Sequence, residues 1–167
     1  MKASSNRQKS PIPPKTVSEK ADIAKAVSRV IASKISAVAS GGQGQILLEK
    51  NLPAVARLLS QAMQSDQKQI LQLGRWQRDL GHSPLPYVHL RIPAYRLQED
   101  ADSHAPILAR RLLRDHAQEK ERTAAALRQL AATVQSEESK LLFEALATEN
   151  EEQVAFLQAM DQRLTYS

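Results

Sequence analysis

Residues 82–103 read HSPLPYVHLRIPAYRLQEDADS and separate two stretches of strongly helical pattern. The segment contains Pro84, Pro86 and Pro93, and the interior of a helix does not tolerate proline. A connection of this length is unusual in a compact domain unless it has a structural task. Crossing a helical bundle from one end to the other is such a task. The segment therefore predicts a long crossover between a second and a third helix.

Two amphipathic helices are predicted before this connection. The first begins near Val17, and its apolar residues recur every three or four positions, as one face of a helix requires. The glycine-rich stretch 41–44 predicts that this helix ends or is interrupted there. The second helix is predicted from about Asn51, since Pro53 suits a first turn, where its missing N–H costs nothing. Gly81 is expected to stop it.

Two further helices are predicted after the connection, the third from about His104 to Val134 and the fourth from Ser136. Glu137 and Glu138 follow Ser136, and acidic residues favour the positive end of the helix dipole. Four helices without strand patterns predict an all-α four-helix bundle with a long crossover between helices 2 and 3. The predicted apolar stripe of the fourth helix comprises Leu142, Ala145, Leu146, Phe156, Leu157, Met160 and Leu164.

Composition excludes several classes of protein. The chain has no Cys, which rules out disulfide scaffolds and thiolate chemistry. Five Gly and two Phe in 167 residues argue against a sandwich or barrel, which needs many turns and strand aromatics. No apolar run approaches the length of a membrane span, so we expect a cytoplasmic protein.

Positive charge is concentrated at the start of the chain. Lys and Arg number 23 against 18 Asp and Glu, and the first 18 residues hold four of the cations and no acid. The rest of the chain is therefore nearly neutral, at +1. Together with a cluster of prolines, this composition predicts a disordered basic arm over residues 1–16, followed by the bundle over 17–167. The cations of the arm are Lys2, Arg7, Lys9 and Lys15.

Polar residues interrupt three of the apolar stripes near mid-helix. Carboxylates and His that converge in a bundle core are the usual ligands of di-iron sites, and a buried carboxylate is costly unless paired or metal-bound. Amides replace the usual acid and imidazole at 64–67 and 150–153, which weakens that interpretation. The alternatives are a structural polar layer or an edge facing solvent or another subunit. The candidate residues are Asp66, His116, Glu119, Glu149 and Glu152.

Short motifs in the second half of the chain carry a resemblance to a known family. They are RLQE at 96–99, LLRDH at 112–116, ALR at 126–128 and AFL at 155–157. With the turn at Leu80-Gly81 and the proline-rich connection, their order and spacing resemble the ferritin-like superfamily. Within that superfamily the chain is most similar to the Dps (starvation DNA-protection) family, and rubrerythrin-type bundles are nearly as similar over residues 138–160.

The resemblance implies a fold and an assembly more than an activity. Dps-like proteins bind iron between subunits, but the corresponding stretches read GGQGQ at 41–45, LPAVAR at 52–57 and GRWQR at 74–78, without the family ligands. The resemblance thus implies a shell-like homo-oligomer without ferroxidase activity and with no cofactor. Family members with a basic arm use it to bind DNA. Glu137 and Glu138 occupy the place that lines pores in such shells.

Three functions remain open at this point. The first is a non-catalytic, Dps-like oligomer that binds DNA through its arm. The second is an iron-binding protein or ferroxidase with a displaced mid-bundle carboxylate site. The third is a structural bundle that binds a partner protein in a larger complex, since a fold does not by itself carry a function.

Overall fold

The computed structural model describes residues 17–81 and 101–166, which form four α-helices and contain no strand. These are α1 (Val17–Leu48), α2 (Pro53–Asp79), α3 (Ala101–Thr133) and α4 (Glu137–Thr165). The predicted all-α four-helix bundle is confirmed. Among the described helices, none combines the length and the apolar character that crossing a membrane would require.

The four helices pack as two helical hairpins. The most extensive packing joins α1 to α2 and α3 to α4, and thinner interfaces join α1 to α3 and α2 to α4. Helices α2 and α3 are therefore diagonal in the bundle. Trp76 near the end of α2 shares an apolar cluster with Leu130 near the end of α3, so the two helices run in the same direction.

The end of α2 and the start of α3 consequently lie at opposite ends of the bundle. The predicted crossover at 82–103 lies outside the described residues, except for 101–103, which belong to α3. Helix α3 thus begins three residues before His104, where we predicted its start. The predicted basic arm over residues 1–16 also lies outside the described residues.

Local sequence signals account for the ends of the helices. Pro53 opens α2, and Gly81 follows its end with a φ of 71°, a left-handed conformation that glycine adopts without strain. Ser136 caps α4, because its Oγ accepts a hydrogen bond from the backbone N–H of Ser139 at 3.2 Å. Glu137 and Glu138 lie in the first turn of α4. These predicted boundaries are confirmed.

The prediction that glycines end the first helix is wrong, because α1 continues through them to Leu48. Gly44 is buried where α1 passes close to its neighbours. A Cβ atom on Gly44 would lie 2.8 Å from Cδ1 of Leu112 and 3.1 Å from Cδ1 of Leu59. The absence of a side chain therefore lets α1 approach α2 and α3, and this packing outweighs the poor helix propensity of glycine.

Glycine-to-alanine substitutions are expected to have opposite effects in α1 and α2. Gly44→Ala should lower the free energy of unfolding by about 1–2 kcal/mol, because overpacking exceeds the gain in helix propensity. Gly74→Ala should raise it by about 0.5–1 kcal/mol, since no atom lies within 4 Å of the added methyl group. Urea unfolding followed by circular dichroism measures both, and equal effects would contradict the close packing at Gly44.

Two apolar clusters form the core, one toward each end of the bundle. The first lies where α1 ends and α2 begins, and the second lies at the opposite end. The first cluster comprises Leu48, Val55, Ala56, Leu59, Ala105, Leu108, Ala109, Leu112, Leu113, Ala117 and Leu157. The second comprises Val27, Val30, Ile31, Leu73, Trp76, Leu127, Leu130, Ala131, Phe143, Leu146 and Ala147.

The predicted apolar stripe of α4 needs one main correction. Phe156 is 65% exposed, and Ala145 is also exposed, so neither belongs to the core. Phe143 is the aromatic residue of α4 that is fully buried, and its ring packs edge-on against Trp76 with centroids 5.1 Å apart. Leu157, which the predicted stripe also contains, lies in the core.

Candidate functional site

A layer of polar side chains separates the two apolar clusters, and a buried charge cluster lies at its centre. The Nζ atoms of Lys34 and Lys120 both donate to the same oxygen, Oδ1 of Asp66, at 2.8 Å and 2.7 Å. All three side chains have no exposed surface. We call these three residues the Lys–Asp–Lys cluster.

Amide side chains extend the cluster toward α4. Lys34 donates a second hydrogen bond to Oδ1 of Asn150 at 3.0 Å. The Nδ2 of Asn150 then donates to Oε1 of Gln69 at 2.9 Å and to the backbone carbonyl of Leu146 at 2.7 Å. Asn150 and Gln69 are also fully buried. All four helices thus contribute a side chain to one connected network.

The position of each residue explains why the network forms. On every helix the polar residue lies between a residue of one apolar cluster and a residue of the other, so it faces the bundle axis. Lys120 lies seven residues after Leu113 and seven before Leu127, both fully buried. Lys34 lies seven residues after Val27, and Asp66 seven after Leu59. Heptad spacing therefore places all three side chains on core-facing positions.

The cluster is short of negative charge. Two lysine amines face a single carboxylate, and removing charged groups from water is costly unless each finds a partner. Burial lowers the pKa of Lys120, and the nearby carboxylate of Asp66 opposes this shift only in part. The cluster therefore favours loss of a proton from Lys120 at a lower pH than an exposed lysine would require.

The structure places three of the predicted metal-site candidates in or beside this cluster. His116 is buried on α3, with Nε2 3.3 Å from the Oγ of Ser40 on α1. Asp66 is held by the two lysines. Glu119 is half-buried and accepts hydrogen bonds from the hydroxyls of Ser33 at 3.0 Å and Thr123 at 2.7 Å.

The remaining two candidates lie apart from these. Glu149 accepts a hydrogen bond from Ser65 at 2.6 Å in the α2–α4 interface, and Glu152 is exposed. In residues 17–81 and 101–166, no three His, Asp or Glu side chains approach closely enough to share a metal ion. A carboxylate that already accepts from two lysines is also a poor iron ligand, because the amines repel a cation. These donors do not fit an iron site.

Sequence reasoning identified a mid-bundle polar layer and its members Asp66 and His116, but it missed Lys34 and Lys120. A signal for both was available, because each lysine lies at heptad distance from apolar residues that form the core. Lysine is almost never fully buried, so such a position does not by itself predict a core residue. These two lysines provide the positive charge that neutralises the buried carboxylate of Asp66.

The other predicted site residues lie at the ends of the chain or of the bundle. Glu137 and Glu138 are exposed at the start of α4, where they remain candidates for a pore in an assembly. The four cations predicted to bind nucleic acid lie outside the described residues. They are Lys2, Arg7, Lys9 and Lys15.

His116 is expected to make the protein less stable in mild acid. Burial lowers its pKa below the ordinary value near 6.5, and the charge of Lys120 lowers it further, while Asp66, Glu119 and Asp115 oppose the shift. Between the lowered pKa and 6.5, the unfolded chain binds more protons than the native protein does. The free energy of unfolding should therefore fall as pH drops through this window.

Urea unfolding between about pH 5 and pH 7.5 tests this expectation. The His116→Gln variant should show a flatter dependence on pH than the wild-type protein. Equal slopes for the wild-type protein and the His116→Gln variant would contradict the expectation.

Comparisons of the chain with models of protein families, with curated proteins and with solved structures found no match.

Proposed function

We propose that this protein is a ferritin-like bundle that works without a bound metal, assembles with copies of itself and binds DNA through its basic N-terminal arm. The observation that carries the proposal is the Lys–Asp–Lys cluster. Lysines of the same chain hold Asp66 in the bundle core, where di-iron bundles place their carboxylate ligands, so the bundle interior suits a scaffold better than a redox site.

The charge of the arm supports its assignment to DNA. Four cations without an acid in the first 18 residues would neutralise phosphates and release their counterions. Four charges bind weakly on one chain, but several arms on one assembled particle act together and bind by avidity. The proposal therefore needs both the arm and the assembly.

Exposed apolar side chains on the bundle support self-association. Leu141 and Phe156 are exposed on α4, at 59% and 65%, and Ile107 is exposed on α3 at 68%. Such residues contribute favourably when a subunit interface removes them from water. Sedimentation velocity of the purified protein should detect an oligomer rather than a monomer of 18.5 kDa.

Removing the charge of the arm tests the DNA-binding proposal. A variant with Lys2, Arg7, Lys9 and Lys15 replaced by Gln is called the arm variant. Its affinity for a labelled 30-base-pair duplex at 50 mM salt should be at least about ten-fold weaker than that of the wild-type protein, because counterion release is lost. Wild-type binding should also weaken steeply between about 50 and 200 mM salt.

A control variant, called the paired variant, loses the same number of positive charges as the arm variant. Arg110, Arg111, Arg114 and Arg128 of α3 each lie within 4.0 Å of an acidic side chain, and Arg110 and Arg114 share Asp161. Their replacement by Gln therefore removes four cations that already pair with acids of the same chain. This paired variant should bind DNA nearly as well as the wild-type protein. Equal affinities for the arm variant and the wild-type protein would overturn the proposal.

Anaerobic titration with Fe²⁺ should show no stoichiometric binding, and about two irons per chain would favour the iron-binding alternative.

A further inference from the structure

The outward face of α2 is a continuous, exposed stripe of seven residues, six of which are polar. Its seven positions follow one another at alternating intervals of four and three residues, so they lie on one side of the helix, opposite the buried Asp66. Every one of them is exposed. At 1.5 Å per residue the stripe is about 32 Å long. The α2 stripe comprises Arg57, Gln61, Gln64, Lys68, Leu71, Arg75 and Arg78.

The stripe carries four positive charges and no negative one. Glu49 precedes it at the end of α1, and Asp79 lies beside its last residue. Within the part of the chain that the structure describes, none of the four cations forms an ion pair. No acidic side chain in residues 20–81 and 104–166 therefore neutralises these four charges.

The arginines of α3 differ in this respect. Arg110 and Arg114 donate to the two oxygens of Asp161 on α4, at 3.1 Å and 2.9 Å. Arg128 donates to Glu151, also on α4, at 3.0 Å. Helix α4 carries seven acidic residues against two basic ones and neutralises its neighbour. The near-neutral charge of the bundle thus results from a separation of charge between its faces, with α2 left basic.

We propose that the α2 stripe binds the phosphate backbone of double-stranded nucleic acid. Arg and Lys neutralise phosphates, and the interspersed Gln61 and Gln64 can donate amide hydrogen bonds to phosphate oxygens. The stripe is about as long as one turn of a duplex, roughly 34 Å. It contains no aromatic residue on which an unpaired base could stack, so it suits a duplex better than a single strand. This inference goes beyond the proposed function, because it assigns binding to the folded bundle, independently of the arm.

A protein partner fits the stripe less well. The acidic α4 of a second copy complements its charge, but the centre of a protein interface is usually apolar and depleted of charged residues. Leu71 is the one apolar residue of the stripe, so little apolar surface would be buried there. Charge alone therefore has to supply the affinity, as it does in binding to a phosphate backbone independent of sequence.

Full-length protein with Arg57, Lys68, Arg75 and Arg78 replaced by Gln, called the stripe variant, tests the inference. Fluorescence anisotropy with a labelled 30-base-pair duplex is measured from 50 to 200 mM KCl, beside the arm variant and the paired variant. At 50 mM KCl the stripe variant should bind at least about ten-fold more weakly than the wild-type protein, and the slope of log Kd against log salt should fall by about 3.6. The paired variant should bind within about three-fold of the wild-type protein. A 30-nucleotide single strand should bind the wild-type protein more weakly than the duplex does.

The outcomes separate this inference from the proposed function. Weaker binding in the stripe variant alone supports the inference and overturns the role of the arm. Weaker binding in the arm variant alone supports the role of the arm and overturns the inference. Weaker binding in both supports both. If the stripe variant binds DNA normally but changes its sedimentation coefficient, the stripe is an interface between copies and the inference is overturned. It is also overturned if the paired variant loses as much affinity as the stripe variant. Unchanged far-UV circular dichroism confirms that each variant folds, as expected for glutamine at exposed helix positions.

Discussion

Replacing Asp66 with asparagine is expected to lower the free energy of unfolding by about 3–5 kcal/mol, because it leaves two buried lysine side chains without a carboxylate. The asparagine side chain has nearly the same size as the aspartate it replaces, so the loss reports charge rather than packing. Urea unfolding at pH 7, followed by circular dichroism, measures the effect. A variant that does not fold is the extreme form of the same result.

Two further variants make this prediction specific. Glu151→Gln breaks the ion pair with Arg128, in which both side chains are about half exposed, and should leave the free energy of unfolding nearly unchanged. Replacing Lys34 and Lys120 with Met and Asp66 with Leu removes the whole cluster. That triple variant should recover most of the stability lost in Asp66→Asn, since a packed apolar core substitutes well for buried charge. An Asp66→Asn variant within about 1 kcal/mol of the wild-type protein would contradict the cost of the buried charges.

Truncation of Phe143 is expected to be about as damaging as the loss of Asp66. Its ring is fully buried against Trp76, so Phe143→Ala should cost about 3–5 kcal/mol through lost burial and the cavity left behind. The same substitution at Phe156, which is 65% exposed, should change the free energy of unfolding by less than about 0.5 kcal/mol in the monomer. Thermal and urea unfolding at low protein concentration compare the two.

Comparison of Phe143→Ala with Phe156→Ala distinguishes the side of α4 that faces the core from its exposed side. A large loss of stability in Phe156→Ala that disappears on dilution would place Phe156 in a contact between subunits. Comparable losses at both positions at every protein concentration would contradict the observed orientation of α4. The side of α4 that faces the core would then have to pass through Phe156 rather than through Leu157.

Much of the fold follows from periodicity and from residues that begin or end helices. Apolar residues spaced by three and four define four helices, and Pro53, Gly81 and Ser136 act through local backbone chemistry, so sequence alone indicates where they act. The glycine stretch in α1 behaves differently, because its outcome depends on side chains of α2 and α3. Poor helix propensity at Gly44 is outweighed by a tertiary contact that no window of neighbouring residues contains.

The candidate site was harder to predict for a related reason. Asp66 and His116 stand out because a polar residue interrupts an apolar stripe, and each was placed correctly in the interior. The partners of Asp66 could not be named, because heptad spacing gives a direction around the helix axis but no depth relative to another helix. Phe156 shows the same limit, since it and Leu157 are adjacent in sequence and the turn of the helix decides which one is buried.

Net charge likewise gave no indication of the basic α2 stripe. A value of +1 for the bundle is an average over faces that differ in sign. The separation appears only when α4 is seen to direct acidic side chains toward the arginines of α3. The ion pairs between α3 and α4 join residues up to 51 positions apart. Tertiary structure therefore decides which charges are neutralised.

The Lys–Asp–Lys cluster also fixes the longitudinal alignment of the two hairpins. Apolar side chains tolerate sliding, because one leucine packs against another about equally well one turn further along. A slip of α3 by one turn, about 5.4 Å, would carry Lys120 beyond reach of Asp66 and leave the amine of Lys120 buried without its carboxylate partner. The cluster therefore favours one longitudinal register of the two hairpins, whereas the apolar clusters alone are compatible with several.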